Sequence, residues 1–186
     1  MFDPRFPEVR AYLVGIYTQA LLDWNLDGFK LDFIDDFKVY PETEMNDLNG
    51  RDTLSVAKGV DLLIDDIKTA LKSIKEDVLI EFRQKYIGPG LRKLGNMFRA
   101  FDCPNDSLMN RVRTTDVKLI CGDTAVHSDM LTWSKDADVE YAALQFTSIL
   151  FSVPQISVKL NERSKEEHSM IQFYTCLLYT SDAADD

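Results

Sequence analysis

Basic residues are in short supply: 21 Lys and Arg stand against 31 Asp and Glu, a formal charge of −10. That balance argues against nucleic acid or an anionic membrane as the main partner, since both are bound through clustered cations. Long apolar runs are missing too, and no stretch reaches the ~20 residues that a membrane-spanning helix needs. Cysteine is scarce. Cys103, Cys121 and Cys176 lack metal-ligand spacing and are too few for a disulfide framework, so a reducing, cytoplasmic setting is expected. The opening residues, Met1-Phe2-Asp3-Pro4-Arg5-Phe6-Pro7, carry no basic segment followed by an apolar run, and so do not read as a signal peptide. The chain of 186 residues is also short for a complete eight-stranded α/β barrel, which usually takes about 250.

What is present is a core-forming chain, 45% hydrophobic and 11% aromatic, with helical and strand periodicities in turn. Val9, Leu13, Ile16, Tyr17, Ala20 and Leu21 recur at helical spacing after Pro7, predicting a helix to about Trp24. Phe29, Leu31 and Phe33 then alternate with Gly28, Lys30 and Asp32, predicting a strand with a cation and an acid on one face. A polar loop follows from Asp35 to Asp52, a length uncommon unless functional. A second amphipathic helix is predicted over Thr53–Lys75 and a strand over Val78–Arg83, with Glu81 and Arg83 sharing a face. Further strands are expected at Asn96–Asp102, Ala125–Met130 and Pro154–Leu160. Helices are expected from Asn105 or Asp106 through Leu119, over Asp136–Phe151, and from Asn161 to Thr175. Strand and helix thus repeat five times, the pattern of parallel β/α units.

Three of these strands end in acids: Asp32 with Asp35 and Asp36, Asp102 with Asp106, and Asp129 beside His127. Acids there also cap helices, but two carboxylates at a barrel mouth can serve as nucleophile and acid/base in glycoside hydrolysis, standing about 5 Å apart in a retaining enzyme. Lys30 can keep Asp32 ionised and donate to a sugar hydroxyl, or form a plain ion pair. Arg83 and Arg99 read either as hydroxyl contacts or as surface salt bridges, and Trp133 either as a sugar-stacking platform or as packing. A rival chemistry is a Schiff base on Lys30, or a metal held by Asp32, Asp35 and Asp36.

Asp27-Gly28-Phe29-Lys30-Leu31-Asp32 resembles the nucleophile segment of the clan D retaining α-glycosidases, with Leu31 where the α-galactosidases of glycoside hydrolase family thirty-six usually have Trp. Lys30-Leu31-Asp32-Phe33 is also similar to the corresponding segment of α-xylosidase-like members of family thirty-one. Gly90-Leu91 leading through Asn96-Met97-Phe98-Arg99 to Asp102, Asp106 and Arg111 resembles the acid/base region of family thirty-six, and Ala125-Val126-His127-Ser128 its Gly-Ala-His-Val-Ser region.

The resemblance covers roughly Phe2 to Thr175. It implies strands four to eight of a (β/α)8 TIM barrel over residues 1–175, part of an exo-acting α-galactosidase that cleaves α-linked oligosaccharides or glycosides without metal or cofactor. It makes Asp32 the nucleophile and Asp102, or else Asp106, the acid/base. Lys30, Arg83, Arg99, Asp106, His127 and Trp133 become substrate contacts. Cys176 to Asp186 resembles a translated sequencing adapter and is set apart from the fold. The chain is then expected to be a fragment with little or no turnover of its own.

Overall fold

The computed structural model describes residues 2–182. The chain is α/β: strands alternate with helices, and strand neighbours within each of two compact units, Met1–Asn96 and Met97–Asp186, run parallel. Among the described residues no helix is long and apolar enough to cross a membrane.

In the first unit, helix α1 (Pro7–Asp23) leads into β1 (Gly28–Leu31), and helix α2 (Val56–Ile74) leads into β2 (Leu79–Arg83). Pro7 sits in the first turn of α1, where its missing N–H costs nothing. Ser55 caps α2 by accepting the Lys58 N–H at 3.2 Å. The stripe Val56, Val60, Leu63, Ile64, Ile67 and Leu71 is buried along α2, as its spacing predicts. It shares the core with Leu31, Val78, Ile80 and Phe82 from the strand segments. Helix α1 departs from expectation, because Leu21 is buried but Ile16 is 48% exposed. The helix packs on α2 and meets Phe29 edge-on through Tyr17, with Val9, Leu13, Val14 and Ala20 half-buried and Tyr12, Ile16 and Leu22 exposed. Buried Arg10 ties it down instead, pairing with Asp52 at 2.6 Å and Asp66 at 3.1 Å. A single turn of helix, α3 (Pro89–Arg92), occupies the Gly88-Pro89-Gly90 break.

β1 and β2 run in register, Gly28 beside Leu79 and Lys30 beside Glu81. Gly28 permits this approach: a Cβ there would lie 2.1 Å from the Leu79 carbonyl oxygen. β1 is shorter than predicted. It stops at Leu31, and Phe33 takes a left-handed conformation (φ 56°) that opens a 3-10 turn at Ile34–Asp36.

The second unit contains β3 (Met97–Arg99), α4 (Ser107–Cys121), β4 (Ala125–Leu131), α5 (Val139–Thr147), β5 (Val153–Ile156) and α6 (Lys165–Asp182). Phe98 pairs with Val126 and Arg99 with His127 across β3 and β4, while a bulge between His127 and Met130 shifts the register of β4 on β5. The buried face of α4 is Asn110, Thr114, Val117 and Cys121. Leu131, Trp133, Ala142, Phe146, Ile149 and Ile171 form the core under α5 and α6. β3 ends at Arg99 rather than Asp102, and β5 ends at Ile156 rather than Leu160. The start of α6 is secured by a capping box: the Ser164 N–H donates to Glu167 and the Glu167 N–H donates to the Ser164 hydroxyl. α6 continues through Cys176–Asp182, so the first part of the segment set apart on sequence is helical, and positions 183–186 lie outside the described residues. All three cysteines are free thiols.

Candidate active site

In the first unit the site begins where β1 stops. The parallel register that sets Lys30 beside Glu81 brings Asp32, one step past the strand, level with Arg83 on the same face. Lys30 Nζ lies 3.2 Å from one Asp32 oxygen and Arg83 Nε 2.9 Å from the other. The Phe33 N–H donates to Asp32 at 2.9 Å, a bond that the left-handed turn at Phe33 allows. Such a conformation is uncommon for a bulky residue and is sustained by its surroundings, here the Arg83 guanidinium 5.1 Å above the Phe33 ring. Tyr86 closes the corner, its hydroxyl donating to the Leu31 carbonyl at 2.7 Å and accepting from the Arg83 N–H.

Burial pushes the Asp32 carboxyl up, but the Phe33 N–H, the Lys30 ammonium and the Arg83 guanidinium outweigh it. They hold the group below the usual carboxylate range. Asp32 is therefore an anion at neutral pH, with a quarter of its side chain still open to solvent. Lys30 is engaged in this ion pair, its Nζ directed at the Asp32 carboxylate. Asp35 and Asp36 stand on the 3-10 turn, both exposed, and among the described residues no three acids, histidines or cysteines converge as a metal-ligand set.

In the second unit Arg99, at the end of β3 and 5% exposed, bridges two carboxylates. It reaches Asp129 at 2.6 Å and Asp102 at 2.7 Å. Asp129 is fully buried and also accepts the Cys103 N–H. Asn110 clamps the Asp129 backbone from α4, donating to its carbonyl at 3.2 Å and accepting its N–H at 3.0 Å. Asp102, 44% exposed, is the open end of this buried chain. Two carboxylates share one guanidinium here, so Asp102 faces a partner whose charge is already drawn on by Asp129. Burial and the Asp129 charge push the Cys103 thiol up to about 11, which leaves it a thiol rather than a nucleophile.

The residues singled out on sequence divide accordingly. Lys30, Asp32 and Arg83 come together in one unit, and Arg99 and Asp102 in the other. His127 stands beside Arg99 in the β3–β4 register, half-buried. Asp106 is the N-cap of α4, accepting the Met109 N–H at 2.8 Å, the capping role that strand-end acids also fill. Trp133 is corrected from sugar platform to core: it is 4% exposed, with Phe146 edge-on and Arg163 over its ring. Its indole N–H donates to Glu167 at 2.6 Å, which satisfies its one polar atom and leaves no ring face for a ligand. Sequence reasoning noted Asp129 only as one strand-end acid among several and passed over Asn110 and Tyr86. The recurrence of acids at strand ends was the signal for Asp129, and nothing in the local pattern marked the other two.

In comparison with known proteins, no family model matches the chain and no curated protein matches it.

Proposed function

We propose that these units belong to the catalytic domain of a retaining, exo-acting α-glycosidase of the α-galactosidase type, built as strands four to eight of a (β/α)8 barrel. The observation that carries the proposal is Asp32. It is a carboxylate at the C-terminal end of a parallel strand, ionised and oriented by Lys30 and Arg83 and still open to solvent.

In this reading Asp32 attacks the anomeric carbon of a terminal α-linked sugar while the glycosidic oxygen takes a proton from Asp102 and departs. A covalent glycosyl-Asp32 ester results. Asp102, now a carboxylate, draws a proton from water, which attacks the same carbon and releases the sugar with its configuration retained. Lys30 and Arg83 stabilise the charge that returns to Asp32 as the ester breaks. Asp102 shares Arg99 with the buried Asp129 and is 44% exposed, and in this reading it is the acid that protonates the leaving oxygen. The reaction calls on no metal or cofactor.

Turnover is expected in the longer protein of which these units form part, and little or none in the 186-residue chain by itself. The test is hydrolysis of 4-nitrophenyl α-galactoside by the protein from the extended reading frame, with Asp32→Asn compared. Turnover should fall by several orders of magnitude with substrate binding intact, and azide should give only an inverted, β-configured product. A loss under about tenfold would reduce Asp32 and Lys30 to a structural ion pair.

A further inference from the structure

The loop that leaves Asp32 carries a reactive pair of residues outside the candidate site. Residues 37–55 form no helix or strand. Near their end Leu48, Asn49, Gly50 and Arg51 make a tight turn, closed by the Arg51 N–H donating to the Leu48 carbonyl at 2.7 Å. Asn49 (φ 44°) and Gly50 (φ 91°) are both left-handed, the pattern of a type I′ turn, which Asn-Gly favours. Both residues are exposed. Among the described residues neither the Asn49 carboxamide nor the Gly50 N–H has a hydrogen-bond partner. Asn49-Gly50 is also the one Asn-Gly pair in the sequence.

These two unpaired groups are the ones that react when an asparagine cyclises onto its own backbone. The Gly50 nitrogen gives up its proton to water and attacks Asn49 Cγ. The Cγ–Nδ2 bond breaks, and Nδ2 takes a proton from water and leaves as ammonia. A five-membered succinimide remains. Water then opens the ring on either side of the Gly50 nitrogen. Breaking its new bond to Cγ gives aspartate, and breaking its original bond to the Asn49 main-chain carbonyl carbon gives isoaspartate. Glycine suits the attack because no side chain crowds the nitrogen.

A second pair, Asp27-Gly28, could close the same ring with loss of water, but the fold restrains it. Gly28 lies in β1, where a Cβ would fall 2.1 Å from the Leu79 carbonyl oxygen. The Asp27 carbonyl accepts the Leu79 N–H at 2.9 Å, and the Asp27 carboxylate is held by Lys75 at 2.6 Å. Cyclisation there requires β1 to part from β2. At Asn49 what must open is an exposed turn closed by one backbone hydrogen bond, which slows the reaction by about tenfold at most relative to an unfolded chain.

We propose that Asn49-Gly50 is a site of spontaneous deamidation, and that its isoaspartyl form releases Arg51. The Arg51 side chain is 9% exposed, lies over the Phe6 ring, and pairs with Asp3 at 3.3 Å and Glu44 at 3.1 Å. It also donates to the Asp47 and Leu48 carbonyls, both at 3.3 Å, so the turn and the ion pairs are held by one guanidinium. An isoaspartyl linkage lengthens the main chain of the turn by one atom. The Leu48 carbonyl and the ion pairs then cannot keep Arg51 together. This inference does not rest on the glycosidase reading.

The experiment ages the 186-residue chain for weeks at mildly alkaline pH, beside the same chain held unfolded in guanidinium chloride. Peptide mapping by mass spectrometry follows the exchange of amide for acid at Asn49, and an isoaspartyl methyltransferase with labelled S-adenosylmethionine counts isoaspartate in each peptide. Native Asn49 should convert within about tenfold of its rate in the unfolded chain, and Asp27 should isomerise in the unfolded chain alone. Brief trypsin digestion should then cut the aged chain after Arg51. The fresh chain should resist, and so should Asn49→Asp, which carries the new charge on a normal backbone. Conversion of native Asn49 slower than in the unfolded chain by more than about a hundredfold would overturn the proposal, as would isomerisation of native Asp27 at a matching rate. Equal cleavage of aged and fresh chains after Arg51 would overturn its release.

Discussion

Replacing Asn110 by Ala removes the clamp on the most deeply buried acid of the second unit. The side chain is 1% exposed and makes two hydrogen bonds to the Asp129 backbone, and Asp129 is itself 0% exposed. The two bonds are not equal losses. The Asp129 carbonyl keeps a donor in the Ser128 hydroxyl, 2.7 Å away, so its loss costs about 0.5–1.5 kcal/mol. Asp129 N–H is left in a dry site with the acceptor gone, a cost of about 1–3 kcal/mol. The sum, about 1.5–4.5 kcal/mol, is a large part of the ~5–15 kcal/mol that holds an ordinary domain folded. Urea unfolding followed by tryptophan fluorescence is well suited to the measurement. Trp133 is buried in the same unit as Asn110, whereas Trp24 is 73% exposed and changes little on unfolding. With a urea slope of roughly 2 kcal/mol per molar, the Trp133 midpoint should fall by about 1–2 M. A shift corresponding to less than about 1 kcal/mol would mean that the clamp is not what satisfies Asp129, and the account of how Arg99 and Asp102 are held would fail with it.

Gly28→Ala should destabilise the first unit by at least about 2 kcal/mol in denaturant unfolding, because the new Cβ meets the Leu79 carbonyl at 2.1 Å and the two strands must part. Gly15→Ala is its control: nothing lies within 4 Å of that Cβ in the middle of α1, and a gain of about 0.5–1 kcal/mol is expected, so loss in both variants would refute the close-approach argument. Asp32 titrates below its unfolded value of about 3.9, so the stability it contributes is complete above that pH and is lost as pH falls through the lower folded value. Carboxyl ¹³C NMR should find the Asp32 midpoint below about 3.9 and moved upward in Lys30→Met, and a midpoint at or above the unfolded value in the parent chain would remove the ionised-nucleophile argument.

Much of the local structure follows from neighbouring residues. Pro7 opens α1 and Asp106 starts α4 through groups within a few residues along the chain, and helical spacing alone gathers the stripe from Val56 to Leu71 on one side of α2. The same holds for the face shared by Lys30 and Asp32, since strand alternation is a property of the backbone. Where the strands end was not legible in this way. The alternation of Phe29, Leu31 and Phe33 extends beyond β1, but Asp32 is drawn to Arg83 from the neighbouring strand and Phe33 turns left-handed above it. Trp133 and Asp129 illustrate the remaining gap. A tryptophan reads alike whether it meets a sugar or a core, until Phe146, Arg163 and Glu167 close around it. An acid at a strand end reads as a cap or a catalyst until Arg99, Cys103 and Asn110 arrive from other parts of the chain. Periodicity assigns a side chain to a face. Only tertiary structure supplies the partners on that face, and it is the partners that decide whether a charge is buried, shared or left free to react.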